Sequence, residues 1–364
     1  MLIDIIAAEQ TDFIKVAPII DAIRKEQIKG GGIRYRLIYT GRFNDKNLYP
    51  GFFEQLSIPK PHLNLETGSD LSDIEQTATV MVRYEKVLSI TKPQFVLITG
   101  DSNATMACAI TAKKTHNIQI GHLESGLRNK NTLSPNELNS LIADSITDFY
   151  FTPSHSANEN LRRIGVADER IFFVGNTHAD TLQKIRILNP LPTLWNKLKL
   201  KPATYLLVCM HHSENMRPPA LKDMLASATK HLKNIPIVFI AKQSSHKLIA
   251  ASGMGSSALL IANVTDYKQF IFLLEHAKAV ITDYNGIQEE TTILQVPCIT
   301  LGRHKERPET FSTGTNMLIS EPAELELAFE KLMNSKWKKG NIPYMWDGHS
   351  AERILALLRR LKNK

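Results

Sequence analysis

Phe95-Val-Leu-Ile-Thr-Gly-Asp-Ser-Asn-Ala-Thr105 reads as a buried strand that breaks at a glycine and turns at once into a helix. The apolar half does not alternate, as expected of a strand covered on both faces, and the small-residue run Ala104 to Lys114 supplies the helix. The same unit recurs on either side. Upstream lie strand Leu2 to Ala8, an amphipathic helix with Phe13, Val16, Ala17, Ile20 and Ile23 on one face, strand Tyr35 to Thr40, and a helix over Asp73 to Thr91. Downstream, strands are predicted at Ile118 to Leu123, Phe149 to Phe151 and Ile171 to Val174, with helices at Glu137 to Asp148 and Ala157 to Ile164. Strands alternating with helices predict a parallel sheet with right-handed crossovers.

A helix running to about Ile187 is followed by Asn189-Pro-Leu-Pro192, which interrupts the series. A second series follows, with strands at 205–209, 237–241, 257–264, 279–282 and 298–301 and helices at 219–231, 270–276 and 286–294. The expected fold is therefore α/β, two Rossmann-like doubly wound domains facing across a cleft. Their expected bounds are 1–188 and 189–348, with a terminal helical segment at 349–364. Open parallel sheets bind ligands at the carboxyl ends of their strands, so chemistry is sought there.

Composition narrows the class. A chain of 364 residues holds two or three domains, and 43% hydrophobic with 22% charged residues excludes a disordered or collagen-like polymer. No apolar run reaches the roughly 18 residues of a membrane span. The N-terminus opens as a strand without a basic leader, and Cys108, Cys209 and Cys298 are scattered and without metal spacing. Both features predict a cytoplasmic protein with reduced thiols. The net charge of +8 is spread along the chain and accompanied by no aromatic-and-basic RNA motif. Nucleic acid is not expected as a partner, whereas a modest positive field suits a small anion such as a nucleotide.

At the strand ends, Asp101 either caps the helix behind it or stands as an ionised carboxylate in a substrate site. His122 and Glu124 share a face by strand alternation, and Glu124 either pairs with Arg128 or works on substrate. His211 and His212 follow the strand ending at Cys209. Neighbours on an extended chain point apart and no third ligand is spaced to join them, so no metal is expected. Asp283-Tyr284-Asn285-Gly286 is a strand-to-helix turn whose unpaired N–H groups could hold a pyrophosphate. Glu290, one turn further, could accept sugar hydroxyls or merely complement the helix dipole. Glu306-Arg307-Pro308-Glu309 and Thr313 to Asn316 read as a polar loop, either an anion contact or solvated surface.

Together these segments resemble the UDP-N-acetylglucosamine 2-epimerases, mainly the non-hydrolysing group. The specific elements are Ile14-Lys-Val-Ala-Pro18, Thr99 to Thr105, Gly121 to Arg128, Pro135-Asn-Glu-Leu-Asn139, Val174-Gly-Asn-Thr177, Asp283 to Glu290, and Glu306 to Glu309 with Gly314-Thr315, kept in order along nearly the whole chain. The resemblance implies a glycosyltransferase-B architecture, with the last helix packing back on the N-terminal domain, and a homodimer. It implies interconversion of UDP-GlcNAc and UDP-ManNAc, a precursor of surface polysaccharides, by anti elimination of UDP and re-addition through a 2-acetamidoglucal, without redox cofactor or metal. By family position Asp101 and Glu124 are the ring-side carboxylates, and His211 and the Gly286 N–H meet the leaving phosphate. Glu290 binds ribose hydroxyls and Phe270 lies against uracil. Gln10, Lys15, Tyr284, Asn285 and Arg307 complete the expected substrate contacts.

The chain departs from the family at several of these places. The family turn Gly-Thr-Arg-Pro-Glu is Ala8-Glu9-Gln10-Thr11-Asp12, so a phosphate-binding Arg has become Gln10, a charged hydrogen bond worth about 1.5–3 kcal/mol. The third catalytic carboxylate is Asn136, where a general acid–base group contributes roughly 10²–10⁴-fold. Glu137 or His122 is the expected stand-in. A family Arg is Ser140, the Ser-Gly-Gly turn is Tyr284-Asn285-Gly286, and the His-Arg-Arg-Glu run is His211-His212-Ser213-Glu214. Residues that some members use for an allosteric second UDP-GlcNAc are also altered, with Arg42 and Lys242 at the corresponding places. Three outcomes are open: an epimerase with relocated groups, a hydrolysing or altered-specificity UDP-sugar enzyme, and a non-catalytic UDP-sugar binder.

Overall fold

The computed structural model describes residues 1–41, 51–67, 71–128, 134–187, 193–210, 218–232, 235–241, 259–264, 266–302 and 305–362. The sequence readings of His211, Arg42 and Lys242 lie outside them. The chain divides into two compact units, Met1–Gln183 with Tyr344–Lys364, and Lys184–Pro343.

The first unit carries strands β1 (Leu2–Ala7), β2 (Arg34–Tyr39), β3 (Leu63–Asn64), β4 (Phe95–Thr99), β5 (Gln119–Leu123), β6 (Phe149–Thr152) and β7 (Ile171–Phe173). They form one sheet in the order β3-β2-β1-β4-β5-β6-β7, with parallel neighbours throughout. The connecting helices are α1 (Gln10–Ile28), α2 (Phe52–Gln55), α3 (Asp73–Ile90), α4 (Asn103–His116), α5 (Pro135–Ile146), α6 (His155–Arg163) and α7 (Thr177–Ile187). Ile6, Ile38, Val96 and Ile98 bury one sheet face against Val80, Tyr84 and Leu88 of α3 and the alanines of α4. Alanine at 104, 107, 109 and 112 lets that helix lie close to the strands. Alternation turns Ile3 and Ile5 the other way, and α1 packs on β1 and β2 with Phe13, Val16, Ile20 and Ile23 buried. The helix Ser350–Lys362 lies on α1, tied by Arg359 to Glu26, and Trp346 donates from Nε1 to the Pro153 carbonyl at 3.0 Å. That buried indole accounts for the chain rejoining this unit from Tyr344 onward.

The second unit repeats the plan with β8 (Leu206–Cys209), β9 (Ile237–Ile240), β10 (Leu259–Ala262), β11 (Ala279–Thr282), β12 (Cys298–Leu301) and β13 (Asn316–Ile319), ordered β10-β9-β8-β11-β12-β13 and all parallel. Leu206, Val208, Phe239, Ile281 and Ile299 pack on Leu221, Leu225 and Phe329, while Leu207, Val238 and Val280 face Leu273, Leu274 and Ile287. In each sheet the strand order reverses once, between β1 and β4 and between β8 and β11, and such switch points open a crevice at the strand ends.

The polar loop expected after β12 is instead structured. It holds a helix Pro308–Ser312, β13 and a further helix Pro322–Met333. Asn316 to Ile319 is an edge strand of four residues, too short for alternation to register. The helix Pro322–Met333 does carry a signal: Leu325, Ala328, Phe329 and Leu332 are buried at helical spacing behind Pro322. Among the described residues no helix is long and apolar enough to cross a membrane.

Candidate active site

In the first unit β4 and β5 run in register to Thr99 and Leu123, then each turns away. Gly100 takes φ +70°, a conformation glycine adopts freely, and Ser102 caps α4 by accepting the Thr105 N–H at 3.2 Å. The cap reading of Asp101 is thereby corrected: the serine next to it does that work, and the Asp101 carboxylate is exposed. On the neighbouring turn Glu124 sits at φ +66°, rare for a side chain of this size, with its N–H bonded to the Phe151 carbonyl at 2.9 Å. The Lys15 ammonium, delivered by α1, lies 2.5 Å from the Glu124 Oε2, and both groups are buried.

The local pairing of Glu124 with Arg128 does not form. Arg128 donates from Nη2 to Asp144 of α5 at 2.6 Å, and its Nε stands 3.8 Å from Glu137 Oε1. Asp144, fully buried, also accepts the Gly126 N–H at 3.2 Å and meets His122 Nδ1 at 2.7 Å. Burial pushes this carboxyl up, but His122 and Arg128 outweigh it and hold it below the usual range. His122 Nε2 in turn meets the Gly100 carbonyl at 2.9 Å. With both ring nitrogens engaged and the ring buried, His122 is no stand-in for the missing proton carrier.

Gln10 is the first residue of α1 and half-buried. Two residues on, Asp12 accepts the N–H groups of Ala8 at 2.9 Å and Glu9 at 3.1 Å. Burial, and then the nearby Glu9, raise its carboxyl to about 7, against the pull of Lys15 and the two N–H groups. Around this point, at the β1/β4 switch, lies a cavity of about 360 Å³ whose walls include Glu9, Thr40, Asp73, Asn103 and Asn136.

In the second unit the helix Asn285–Leu294 starts directly behind β11, with Tyr284 at the cap position making no side-chain cap bond. The first intrahelical N–H is that of Gln288, so those of Asn285, Gly286 and Ile287 have no acceptor within the helix. Asn285 Nδ2 donates to Glu306. Glu290 is buried and accepts the Tyr267 hydroxyl at 2.6 Å, and Tyr267 stacks on Phe270 with centroids 6.4 Å apart. Arg307 is not on a solvated loop. Its Nε donates to buried Glu289 at 2.6 Å, because Pro308 starts a helix that folds the arginine inward.

Four residues of these networks escaped the sequence reading. Asp144 meets His122 from 22 positions away, which no local pattern reveals, and Asp12 and Glu289 look like ordinary helix acids. Tyr267 had a usable signal, standing three residues before Phe270 on the same helix face. The three cysteines are buried free thiols; burial pushes Cys298 up to about 12 and raises the other two as well. Among the described residues no group of three His, Cys, Asp or Glu side chains is placed to hold a metal ion.

The sequence pattern of the UDP-N-acetylglucosamine 2-epimerase family matches residues 25–359. A UDP-N-acetylglucosamine 2-epimerase of Methanocaldococcus jannaschii is 32% identical over 370 residues, spanning 98% of this chain and 99% of its own. The crystal structure of the M. jannaschii UDP-GlcNAc 2-epimerase in complex with UDP-GlcNAc and UDP superposes with a TM-score of 0.85 at 32% identity, covering 99% of this chain and 100% of that one. The Neisseria meningitidis UDP-GlcNAc 2-epimerase bound to UDP-GlcNAc reaches a TM-score of 0.88 at 22% identity, with 99% and 100% covered, and shares the fold. The two-domain α/β fold is thus of the glycosyltransferase-B-like class seen in these enzymes.

Proposed function

The chain belongs to the UDP-N-acetylglucosamine 2-epimerase family, and from that premise we propose that it interconverts UDP-GlcNAc and UDP-ManNAc by elimination and re-addition of UDP. No carbonyl acidifies the C2 proton, so its removal has to be coupled to breaking the C1–O bond to the diphosphate. A base takes the C2 proton, UDP departs, and a 2-acetamidoglucal remains. UDP then re-adds at C1 while a proton is delivered to the opposite face of C2. A base near the ring and N–H donors or cations near the diphosphate meet these needs.

The observation that carries this reading is the pair of adjacent turns in the first unit, one presenting an open Asp101 and the other a Glu124 held beside the Lys15 ammonium. Asp101 and Glu124 act on the sugar ring, with Glu137 in place of the carboxylate lost at Asn136. Lys15, Gln10 and Arg307 are assigned to the substrate, and His211 to the departing phosphate. In the second unit the N–H groups around Gly286, flanked by Tyr284 and Asn285, receive the diphosphate, Glu290 the ribose hydroxyls and Phe270 the uracil ring. A nucleotide-sugar substrate suits a cytoplasmic site of action. Exposed Ile74 and Val82 on α3 and Leu138 on α5 suit a homodimer.

A non-catalytic reading has one observation in its favour. Asn136 lines the first-unit cavity, and an amide there cannot move a proton. Incubation with UDP-GlcNAc in deuterated water separates the outcomes. Epimerisation gives UDP-ManNAc carrying deuterium at C2. Free ManNAc with UDP marks a hydrolysing enzyme, and UDP binding without turnover marks a binder.

A further inference from the structure

We propose that His122 and Asp144 are positioning residues that lock the Asp101 turn and the Glu124 turn to each other. This rests on the assignment of those two carboxylates to the sugar ring. The backbone ladder between β4 and β5 ends in a long 3.4 Å bond from the Gly100 N–H to the Leu123 carbonyl. Beyond it, the two turns are joined through side chains. His122, on β5, reaches across to the Gly100 carbonyl at 2.9 Å, one peptide before Asp101. Its other nitrogen is gripped by Asp144 at 2.7 Å. The second oxygen of Asp144 takes the Gly126 N–H at 3.2 Å and Arg128 at 2.6 Å. One buried carboxylate therefore holds the chain on both sides of Glu124, whose left-handed backbone is unfavourable and persists only if its surroundings fix it.

Gly126 leaves no slack. It sits at φ +78°, and a Cβ there would stand 2.4 Å from the Ala157 carbonyl oxygen. Both nitrogens of His122 are engaged, one on each turn's side of the link, so a side chain with one donor group can replace only half of it. A pair that merely filled the core would end on core groups. This one ends on the peptides flanking the two carboxylates, where a shift of about 1 Å costs on the order of 10²-fold in rate.

The test compares His122→Gln, His122→Leu and Asp144→Asn in steady-state turnover of UDP-GlcNAc, alongside the low-field ring N–H resonance of His122 in the unmodified protein. His122→Leu and Asp144→Asn are expected to lose on the order of 10²-fold in kcat with KM within about threefold. His122→Gln, which keeps an N–H toward the Gly100 carbonyl, is expected to recover about tenfold of that loss. The resonance is expected in the unmodified protein and absent from Asp144→Asn. A glutamine variant as slow as the leucine one, or a loss carried in KM, overturns the proposal. An unmodified chain that never turns over UDP-GlcNAc defeats the functional assignment instead. In that case a missing resonance still defeats the pair itself, and a present one upholds the lock as drawn.

Discussion

The turn after β4 and the turn after β11 stand at equivalent switch regions of two similar sheets, yet they expose opposite chemistry. After β4, Ser102 spends its hydroxyl on the helix start, and the turn offers a carboxylate, Asp101. After β11, Tyr284 supplies no side-chain cap, and the turn offers N–H groups of Asn285, Gly286 and Ile287. Glu289 and Glu290 of the second unit are buried against Arg307 and Tyr267, fixing the frame around the N–H groups. One fold thus yields a turn that offers a carboxylate and a turn that offers N–H groups by a single choice, whether the helix start receives its own cap.

The sharpest way to break this contrast is at Asp101. Replacement by Asn removes the proposed base without disturbing the cap or the core, so stability should stay within about 0.5 kcal/mol. Turnover should fall roughly 10²–10⁴-fold, with UDP affinity unchanged. Isotope incorporation at C2 and calorimetric titration with UDP read the two quantities separately. Retained turnover would return Asp101 to the status of an ordinary loop acid.

Arg307 tests the other side. Cutting it to Ala removes the 2.6 Å ion pair from a buried Glu289, a loss of about 3–5 kcal/mol in denaturant unfolding. Pairing Arg307→Ala with Glu289→Leu should restore much of that loss. Because Arg307 is also assigned to the substrate, UDP binding should weaken in both variants; unchanged UDP affinity would make the arginine part of the frame alone.

The strand–helix alternation, read from apolar runs and turn residues, located the strands up to β12 except the two-residue edge strand β3, because fully buried parallel strands leave continuous apolar segments. It lost the chain at β13, where four residues at a sheet edge give no period. Asp101, Glu124 and Glu290 stood out as candidates because strand ends are where such sheets place ligands. Their partners did not. Lys15 reaches Glu124 across 109 positions and Tyr267 reaches Glu290 across 23, and only the packed sheet brings them together. Local charge spacing suggested Arg128 for Glu124 and missed Asp144, whose buried carboxylate draws that arginine away.

The smallest expected effect lies at Tyr267, where the hydroxyl donates to Glu290 at 2.6 Å. Tyr267→Phe keeps the ring stacked on Phe270 and removes only the donor, so stability should drop by about 1–2 kcal/mol. The informative quantity is discrimination between UDP and 2′-deoxy-UDP. If Glu290 receives the ribose hydroxyls, its orientation depends on this bond, and the preference for UDP should shrink several-fold in the variant while 2′-deoxy-UDP binds as before. Equal loss for both ligands would show that the tyrosine serves the helix packing alone. An unchanged ratio in a well-folded variant would move the ribose away from Glu290, leaving the second turn with its N–H groups and no sugar contact beside them.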